Sequence, residues 1–89
     1  MEILKNAFAG TMESSDVYIE IAPAKEGLSI TLDSVVAEQF GEKIKAVVLD
    51  VLKENGVNAA SVRVVDRGAL ECVIRARTET AILRGRENA

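Results

Sequence analysis

Residues 28–56, LSITLDSVVAEQFGEKIKAVVLDVLKENG, contain the clearest structural signals in the sequence. The first five residues alternate apolar and polar side chains, which is typical of a strand with one solvent-exposed face. From Val36 onward apolar residues recur every three or four positions, which predicts an amphipathic helix with one buried stripe. Asp33 or Ser34 is expected to cap its amino terminus, and Asn55-Gly56 is typical of a helix end. The stretch therefore predicts a strand followed directly by a helix.

Three other segments have the composition of strands. Residues 17–21 are rich in β-branched and aromatic side chains and are followed closely by the single proline. Residues 7–12 and residues 61–65 are two further short candidates. Because a turn-like segment, residues 24–27, separates residues 17–21 from the strand at residues 28–32, we expect those two strands to pair as an antiparallel hairpin.

A second, less regular helix is predicted from about Ala69 to Leu83, and residues 84–89 are expected to fray. Cys72 lies among its apolar residues, so we expect a small, buried and unreactive thiol. The order of three strands, a helix, a strand and a helix predicts one α+β domain over residues 1–89. Two helices should pack on one face of a small mixed or antiparallel sheet. The apolar positions expected to pack are Leu70, Val73, Ile74, Ala76, Ala81 and Ile82.

The composition argues against several classes of protein. The chain has 89 residues, 14 acidic and 11 basic side chains, a net charge of −3, one Cys and no His. Without His, a self-contained hydrolase or metalloenzyme is not expected, and we predict neither a catalytic residue nor a metal site. An acidic balance and an aromatic content of 3% argue against a nucleic-acid binder. The expected partners are therefore proteins.

The chain also lacks the signals of a membrane or secreted protein. No apolar run approaches the roughly 20 residues that a membrane-spanning helix needs. The opening MEILK is too short and too acidic for a signal peptide, and a solitary Cys suits a reducing compartment. We therefore expect a cytoplasmic protein.

Charge is distributed unevenly along the chain. All five lysines and ten acids lie in residues 1–60, whereas all six arginines and four acids lie in residues 61–89. Two differently solvated faces would explain this asymmetry. The alternative is a docking surface on the second helix that uses Arg75, Arg77 and Arg84.

The remaining candidate functional groups are hydroxyls and carboxylates. Ser34 lies in an Asp-Ser-Val sequence similar to the Asp-Ser-Leu attachment motif of the all-helical acyl carrier proteins, but a helix-capping role explains it. Glu13 and Asp16 lie in a short polar turn, where ordinary solvated acids are expected. Ser14 lies in the same turn, and local sequence alone favours a plain turn serine there.

The wider neighbourhood of Ser14 resembles a known family. Residues 7–16, AFAGTMESSD, closely resemble the amino-terminal segment of the citrate lyase acyl carrier protein, the gamma subunit of that enzyme. The turn at residues 25–28 is variable in the family. Further similar blocks follow in the same order, and they extend the resemblance over nearly the whole chain: residues 19–23, 38–41, 47–52 and 66–77.

The resemblance implies a site and a role. In the family motif Gly-Thr-x-Glu-Ser-x-Asp the serine carries phosphoribosyl dephospho-coenzyme A through a phosphodiester, which places the attachment on Ser14 and not on Ser15. It implies a non-catalytic carrier of acetyl and citryl thioesters during cleavage of citrate to acetate and oxaloacetate. The implied partners are the alpha acyl transferase subunit, the beta citryl lyase subunit and a prosthetic-group transferase. An exposed turn suits a serine that other enzymes must reach.

Two alternatives stay open. One is a small α+β interaction module that never carries a prosthetic group. The other is the related carrier subunit of citramalate lyase or malonate decarboxylase, because no residue of the sequence identifies the acyl group directly.

Overall fold

The computed structural model describes residues 2–87, in which a four-stranded sheet is covered by two helices. The predicted sequence of strands and helices and the α+β class are confirmed. The elements are β1 (Ala7–Gly10), β2 (Val17–Ala22), β3 (Gly27–Ser34), α1 (Ala37–Glu54), β4 (Ala59–Asp66) and α2 (Glu71–Gly85).

The strands are arranged in the order β1-β2-β4-β3. β2 pairs antiparallel with β1 and with β4, and β3 pairs parallel with β4. The sheet is therefore mixed, and the predicted hairpin between the strands at residues 17–21 and 28–32 is wrong. These strands do run in opposite directions, but β4 lies between them. Their separation is two strand spacings, about 10 Å, which the short connection at residues 23–26 can span.

One face of the sheet forms the hydrophobic core. On the two central strands every second side chain is buried, including Ile19 on β2 and Val62 on β4, and their neighbours along each strand point to the other face. Both helices pack on the buried face, since α1 contacts β3 and α2 contacts β1 and β2. β4 lies at the centre of the sheet, and β2 and β3 pair with its two edges. Its backbone is therefore hydrogen-bonded on both sides.

The amino terminus of α1 differs from the prediction. Val36 precedes the helix, and no side chain caps it. Ser34 instead ends β3, where its hydroxyl donates to Oδ2 of Asp66 at 2.8 Å and accepts from the amide of Val36 at 3.1 Å. The predicted cap at Asp33 or Ser34 is wrong because both residues pair with β4. The predicted helix end at Asn55-Gly56 is confirmed, and Gly56 has a φ of 70°.

The face that α2 presents to the core also differs from the prediction. Cys72 is exposed, and Leu70 is 71% exposed, so the predicted burial of both side chains is wrong. Position 72 is turned about 200° around the helix from Ile74, which is buried. Ala76 is exposed as well. The buried stripe consists of Ile74, Thr78, Ala81, Ile82 and Gly85.

The carboxyl end of α2 is firmly held. Arg84 and Gly85 belong to the helix, so the predicted fraying of residues 84–89 is wrong for these two residues. The carbonyl of Gly85 accepts hydrogen bonds from the amides of Leu4 and Lys5 at 2.8 and 3.1 Å. These bonds fasten the amino-terminal segment to the end of the helix. The last two residues of the predicted tail, 88 and 89, lie outside the described residues.

A pair of substitutions in α2 tests which face is buried. We expect Cys72→Ser to change the free energy of unfolding by less than about 0.5 kcal/mol, because the side chain is solvated. Ile74→Ala should lower it by about 2–5 kcal/mol through lost burial and a residual cavity. Denaturant unfolding measures both. A large loss in Cys72→Ser would contradict the assigned face of the helix.

Candidate functional site

The loop between β1 and β2, residues 11–16, presents Ser14 to solvent. Residues 13–16 form a four-residue turn, in which the amide of Asp16 donates to the carbonyl of Glu13 at 3.1 Å. Ser14 and Ser15 are its central residues, and Ser15 has a φ of 66°. Ser14 is exposed, and within residues 2–87 its hydroxyl has no hydrogen-bond partner. The hydroxyl is therefore open to modification.

Asp16 fastens this loop to the rest of the molecule. Its Oδ2 accepts from the Thr11 hydroxyl at 2.7 Å, and its Oδ1 accepts from the Val17 amide at 2.7 Å. Arg77 on α2 donates from Nε to Oδ1 at 3.2 Å and from Nη2 to Oδ2 at 3.1 Å, which is a bidentate pair. The Asp16 side chain is only 15% exposed. The expectation of a solvated acid is thus wrong for Asp16, whereas Glu13 is exposed.

These donors stabilise the ionised form of Asp16. The hydroxyl of Thr11 has the largest effect on its pKa, and the amide of Val17 and the guanidinium of Arg77 act in the same direction. Together they outweigh the opposing effect of burial and lower the pKa of Asp16 from 3.8 to about 2. The carboxylate therefore stays charged, and the loop stays anchored, throughout the physiological pH range.

Backbone hydrogen bonds attach the same loop to the connection between β4 and α2. The amide of Ser15 donates to the carbonyl of Arg67 at 2.8 Å, and the amide of Arg67 donates to the carbonyl of Asp16 at 2.9 Å. Ser14 is thus flanked by anchored residues on its carboxyl side, while its own side chain stays free. Residues 14–16 thus combine an exposed hydroxyl on Ser14 with a hydrogen-bonded backbone at Ser15 and Asp16.

Gly10 allows the close approach of the two loop ends. It has a φ of 91°, and a Cβ atom at this position would lie 1.8 Å from the carbonyl oxygen of Val17 and 3.3 Å from Cδ of Arg77. Glycine is the residue that tolerates both the backbone conformation and the contact. The end of β1 therefore lies close to the start of β2, and the Thr11 hydroxyl can donate to Asp16.

The arginines considered as docking residues have partners within the chain. Arg77 binds Asp16, as described above. Arg75 donates from Nη2 to Oε1 of Glu54 at 2.6 Å, and this carboxylate raises the pKa of Arg75. Arg84 donates from Nη1 to the carbonyl of Phe8 at 2.9 Å. These contacts favour a structural role for all three arginines over a set of free cations.

The structure separates the two candidate serines. Ser34 is half-buried, and its hydroxyl is held between Asp66 and the amide of Val36, so it lacks the freedom of the Ser14 hydroxyl. The candidate site is therefore Ser14, in the loop that Thr11, Asp16 and Arg77 hold in place. Sequence reasoning did not identify the anchoring roles of Thr11 and Arg77, and 61 residues separate Arg77 from Asp16.

Comparison with known proteins identifies the family. An acyl carrier protein family model, described as the malonate decarboxylase delta subunit (MdcD), matches residues 4–85. The citrate lyase acyl carrier protein of Pectobacterium atrosepticum is 51% identical over 84 residues, which are 94% of this chain and 88% of that protein. The chain belongs to the citrate lyase acyl carrier protein family. The resemblance seen in the sequence is thereby confirmed.

Further members and a solved structure agree with this assignment. Citrate lyase acyl carrier protein 2 of Salmonella paratyphi A is 51% identical over 88 residues, covering 98% of this chain and 91% of that protein. The protein of that family from Streptococcus uberis is 48% identical over 84 residues, covering 94% and 83%. A chain in the crystal structure of a Pseudomonas malonate decarboxylase hetero-tetramer in complex with malonate has a TM-score of 0.80 at 21% identity, with 94% and 87% covered. That likeness shows a shared fold.

An acyl carrier family implies a covalently bound prosthetic group, and the loop fits one. The Ser14 hydroxyl is exposed and unpaired within the described chain, and no packed side chain has to move for a group to be attached there. Over residues 2–87, neither helix is long and apolar enough to cross a membrane. The same residues hold no cluster of three or more potential metal ligands.

The anchoring of Asp16 can be tested through the pH dependence of stability. The folded pKa of Asp16, about 2, lies below its ordinary value of 3.8, which is taken for the unfolded chain. The stabilisation that the ionised Asp16 carboxylate gives the fold is thus fully present above about pH 4, and it is lost as the pH falls through about 2. We expect Asp16→Asn to be less stable than the parent at pH 7, with the difference shrinking between pH 4 and pH 2. Thermal unfolding measures this, with Glu13→Gln as the solvated control. A constant difference across that range would contradict the anchor.

The steric role of Gly10 can be separated from its backbone conformation. Gly10→Ala should lower the free energy of unfolding by more than about 2 kcal/mol, because it adds a clash to a strained φ. Gly27 also has a positive φ, 76°, but a Cβ there meets nothing within 4 Å. Gly27→Ala should therefore cost only about 1 kcal/mol. Equal losses in the two variants would show that contact with Val17 is unimportant.

Proposed function

We propose that this protein is the acyl carrier subunit of a citrate lyase complex and that Ser14 holds phosphoribosyl dephospho-coenzyme A through a phosphodiester. The single observation that carries the site is the free, exposed hydroxyl of Ser14 within an otherwise anchored loop. When bound, the group supplies a terminal thiol that carries acetyl and citryl as thioesters. The chain itself contributes no catalytic group.

The anchored loop explains how a non-catalytic subunit assists the reaction. Asp16 and Arg77 fix the point from which the arm extends, so that the arm and not the protein backbone supplies the motion. A tether makes each transfer between active sites effectively intramolecular, with an effective concentration set by the length of the arm. A firm base limits the volume that the thiol explores and keeps that concentration high.

The partners follow from the same proposal. They are the alpha acyl transferase subunit, the beta citryl lyase subunit and the transferase that loads Ser14. The name shared by relatives at 48–51% identity supports this set. We place the complex in the cytoplasm, where a reducing environment preserves both the exposed Cys72 and the thiol of the arm.

Intact-mass analysis tests the site. The parent chain, co-expressed with the prosthetic-group transferase and its substrate, should carry one adduct of the mass of the group, located in the peptide that contains Ser14. Ser14→Ala should carry none. Ser15→Gly is the matched control, because glycine tolerates the positive φ at that position, and it should keep the adduct. An adduct that persists in Ser14→Ala would refute the assignment.

A carrier role in malonate decarboxylase is the second candidate. It is favoured by the description of the matching family model, with the shared fold of the malonate decarboxylase chain consistent with it. Reconstitution distinguishes the two, and also citramalate lyase. The loaded protein should restore citrate cleavage with the partner subunits of citrate lyase. Activity restored only with malonate decarboxylase or citramalate lyase subunits would assign the carrier to that enzyme instead. A chain found unmodified in cells that ferment citrate would favour an interaction module without a prosthetic group.

A further inference from the structure

An apolar groove lies between α1 and the amino-terminal part of α2. Its volume is about 200 Å³, and Ile44, Val47 and Ile74 are among the residues that line it. Phe40 and Leu70, at its rim, are 49% and 71% exposed. Their exposed surfaces continue the apolar floor of the groove, and a contiguous exposed apolar patch is typical of a binding surface.

The groove adjoins the Ser14 loop. Asp66 lines it, and the next residue, Arg67, is hydrogen-bonded to both Ser15 and Asp16. Through these bonds the Cα atoms of Ser14 and Asp66 are no more than about 15 Å apart. An arm that contains a nucleotide and a pantetheine chain in series is longer than this separation, so its far end reaches the groove without any change in the fold.

Asp66 connects the starts of α1 and α2, the two helices that form the groove. Its buried carboxylate accepts from the hydroxyl of Ser34, just before α1, at 2.8 Å, and from the amide of Ala69, just before α2, at 3.0 Å. Its carbonyl accepts from the amide of Val35 at 3.3 Å. The starts of both helices are thus fixed relative to each other. The groove is formed in advance and does not have to be opened by a ligand.

We infer that this groove binds the pantetheine end of the arm while the arm is not engaged by a partner subunit. This inference rests on the proposed function, because the occupant is the group attached to Ser14. Pantetheine combines apolar methyl and methylene segments with amides. The groove offers an apolar floor and a polar rim, where Nζ of Lys43 lies 3.8 Å from Oε1 of Glu71. Binding at this site partly shields the thioester from water between transfers.

Covalent attachment makes weak contacts sufficient. A ligand tethered within reach has a high effective concentration, so a groove too shallow to hold a free molecule can still be occupied by the arm. Weak retention is also required, because the arm must leave for each active site. The large exposure of Phe40 and Leu70 is consistent with such a shallow, reversible site.

A spin label on the thiol of the arm tests the inference. The loaded protein is prepared in a Cys72→Ser background, because Cys72 is exposed and would otherwise react as well. Intact mass first verifies the adduct on Ser14. We expect the paramagnetic label to broaden the methyl signals of Ile44, Val47 and Ile74 several-fold more than those of Met12 and Val65. Met12 lies exposed in the loop of Ser14, and Val65 points to the face of the sheet opposite Asp66, so both report an arm that moves freely.

Two further variants identify the groove as the cause. Leu70→Asp places a carboxylate on the rim, at a helix-capping position that favours aspartate, and should reduce the broadening of the groove methyls several-fold without loss of fold. Leu83→Asp makes the same change at an exposed position near the other end of α2 and should leave the broadening intact. Thermal unfolding verifies that both variants are folded.

The outcomes separate the two proposals. A loaded protein whose Met12 and Val65 signals broaden as much as those of the groove has a freely moving arm, which overturns binding in the groove while leaving the assignment of Ser14 intact. Selective broadening that survives Leu70→Asp likewise overturns it. Absence of the adduct removes the proposed function and this inference together. If the label leaves the groove only when partner subunits are added, the reversible binding is supported.

Discussion

The carboxylate of Asp16 is the interaction on which the site depends. It joins the end of β1 through Thr11, the start of β2 through the Val17 amide, and α2 through Arg77. Each of these donors gives Asp16 a hydrogen bond to a charged acceptor, and Arg77 adds the attraction of an ion pair. A loop that would otherwise be a mobile connection is thereby given a fixed shape.

Asp66 has a comparable role on β4, the strand next to β2. It pairs with Val17 across the two strands, and its carboxylate lies beneath the starts of both helices. The two acids therefore stabilise neighbouring parts of the same end of the molecule. Asp16 fixes the loop that carries Ser14, and Asp66 fixes the starts of the helices beside the groove. Arg67 lies between them in the fold and links the two networks through its backbone. The loop that carries Ser14 and the groove are thus joined at one end of the molecule.

The sequence allowed the element order to be predicted, but not the strand pairing or the anchor of the loop, and the choice of Ser14 stays a prediction. Periodicity identifies α1 because a buried stripe repeats along one helix. It cannot reveal that β4 separates β2 from β3, because alternation along a strand does not specify which strand lies beside it. The exposure of Cys72 escapes prediction because the apolar residues of α2 do not follow a single stripe, and its buried face includes Thr78.

The site serine is a different case, because no physical signal in the turn distinguishes it. Ser14 and Ser15 are adjacent polar residues in one exposed turn, and only the family motif separates them by sequence. The structure distinguishes their backbones and not their hydroxyls. Both side chains are exposed and neither hydroxyl has a hydrogen-bond partner within residues 2–87, but of the two only Ser15 has a positive φ and donates its amide to the carbonyl of Arg67. A carrier needs this combination, since a flexible base would spread the thiol over a larger volume and a buried hydroxyl could not be loaded.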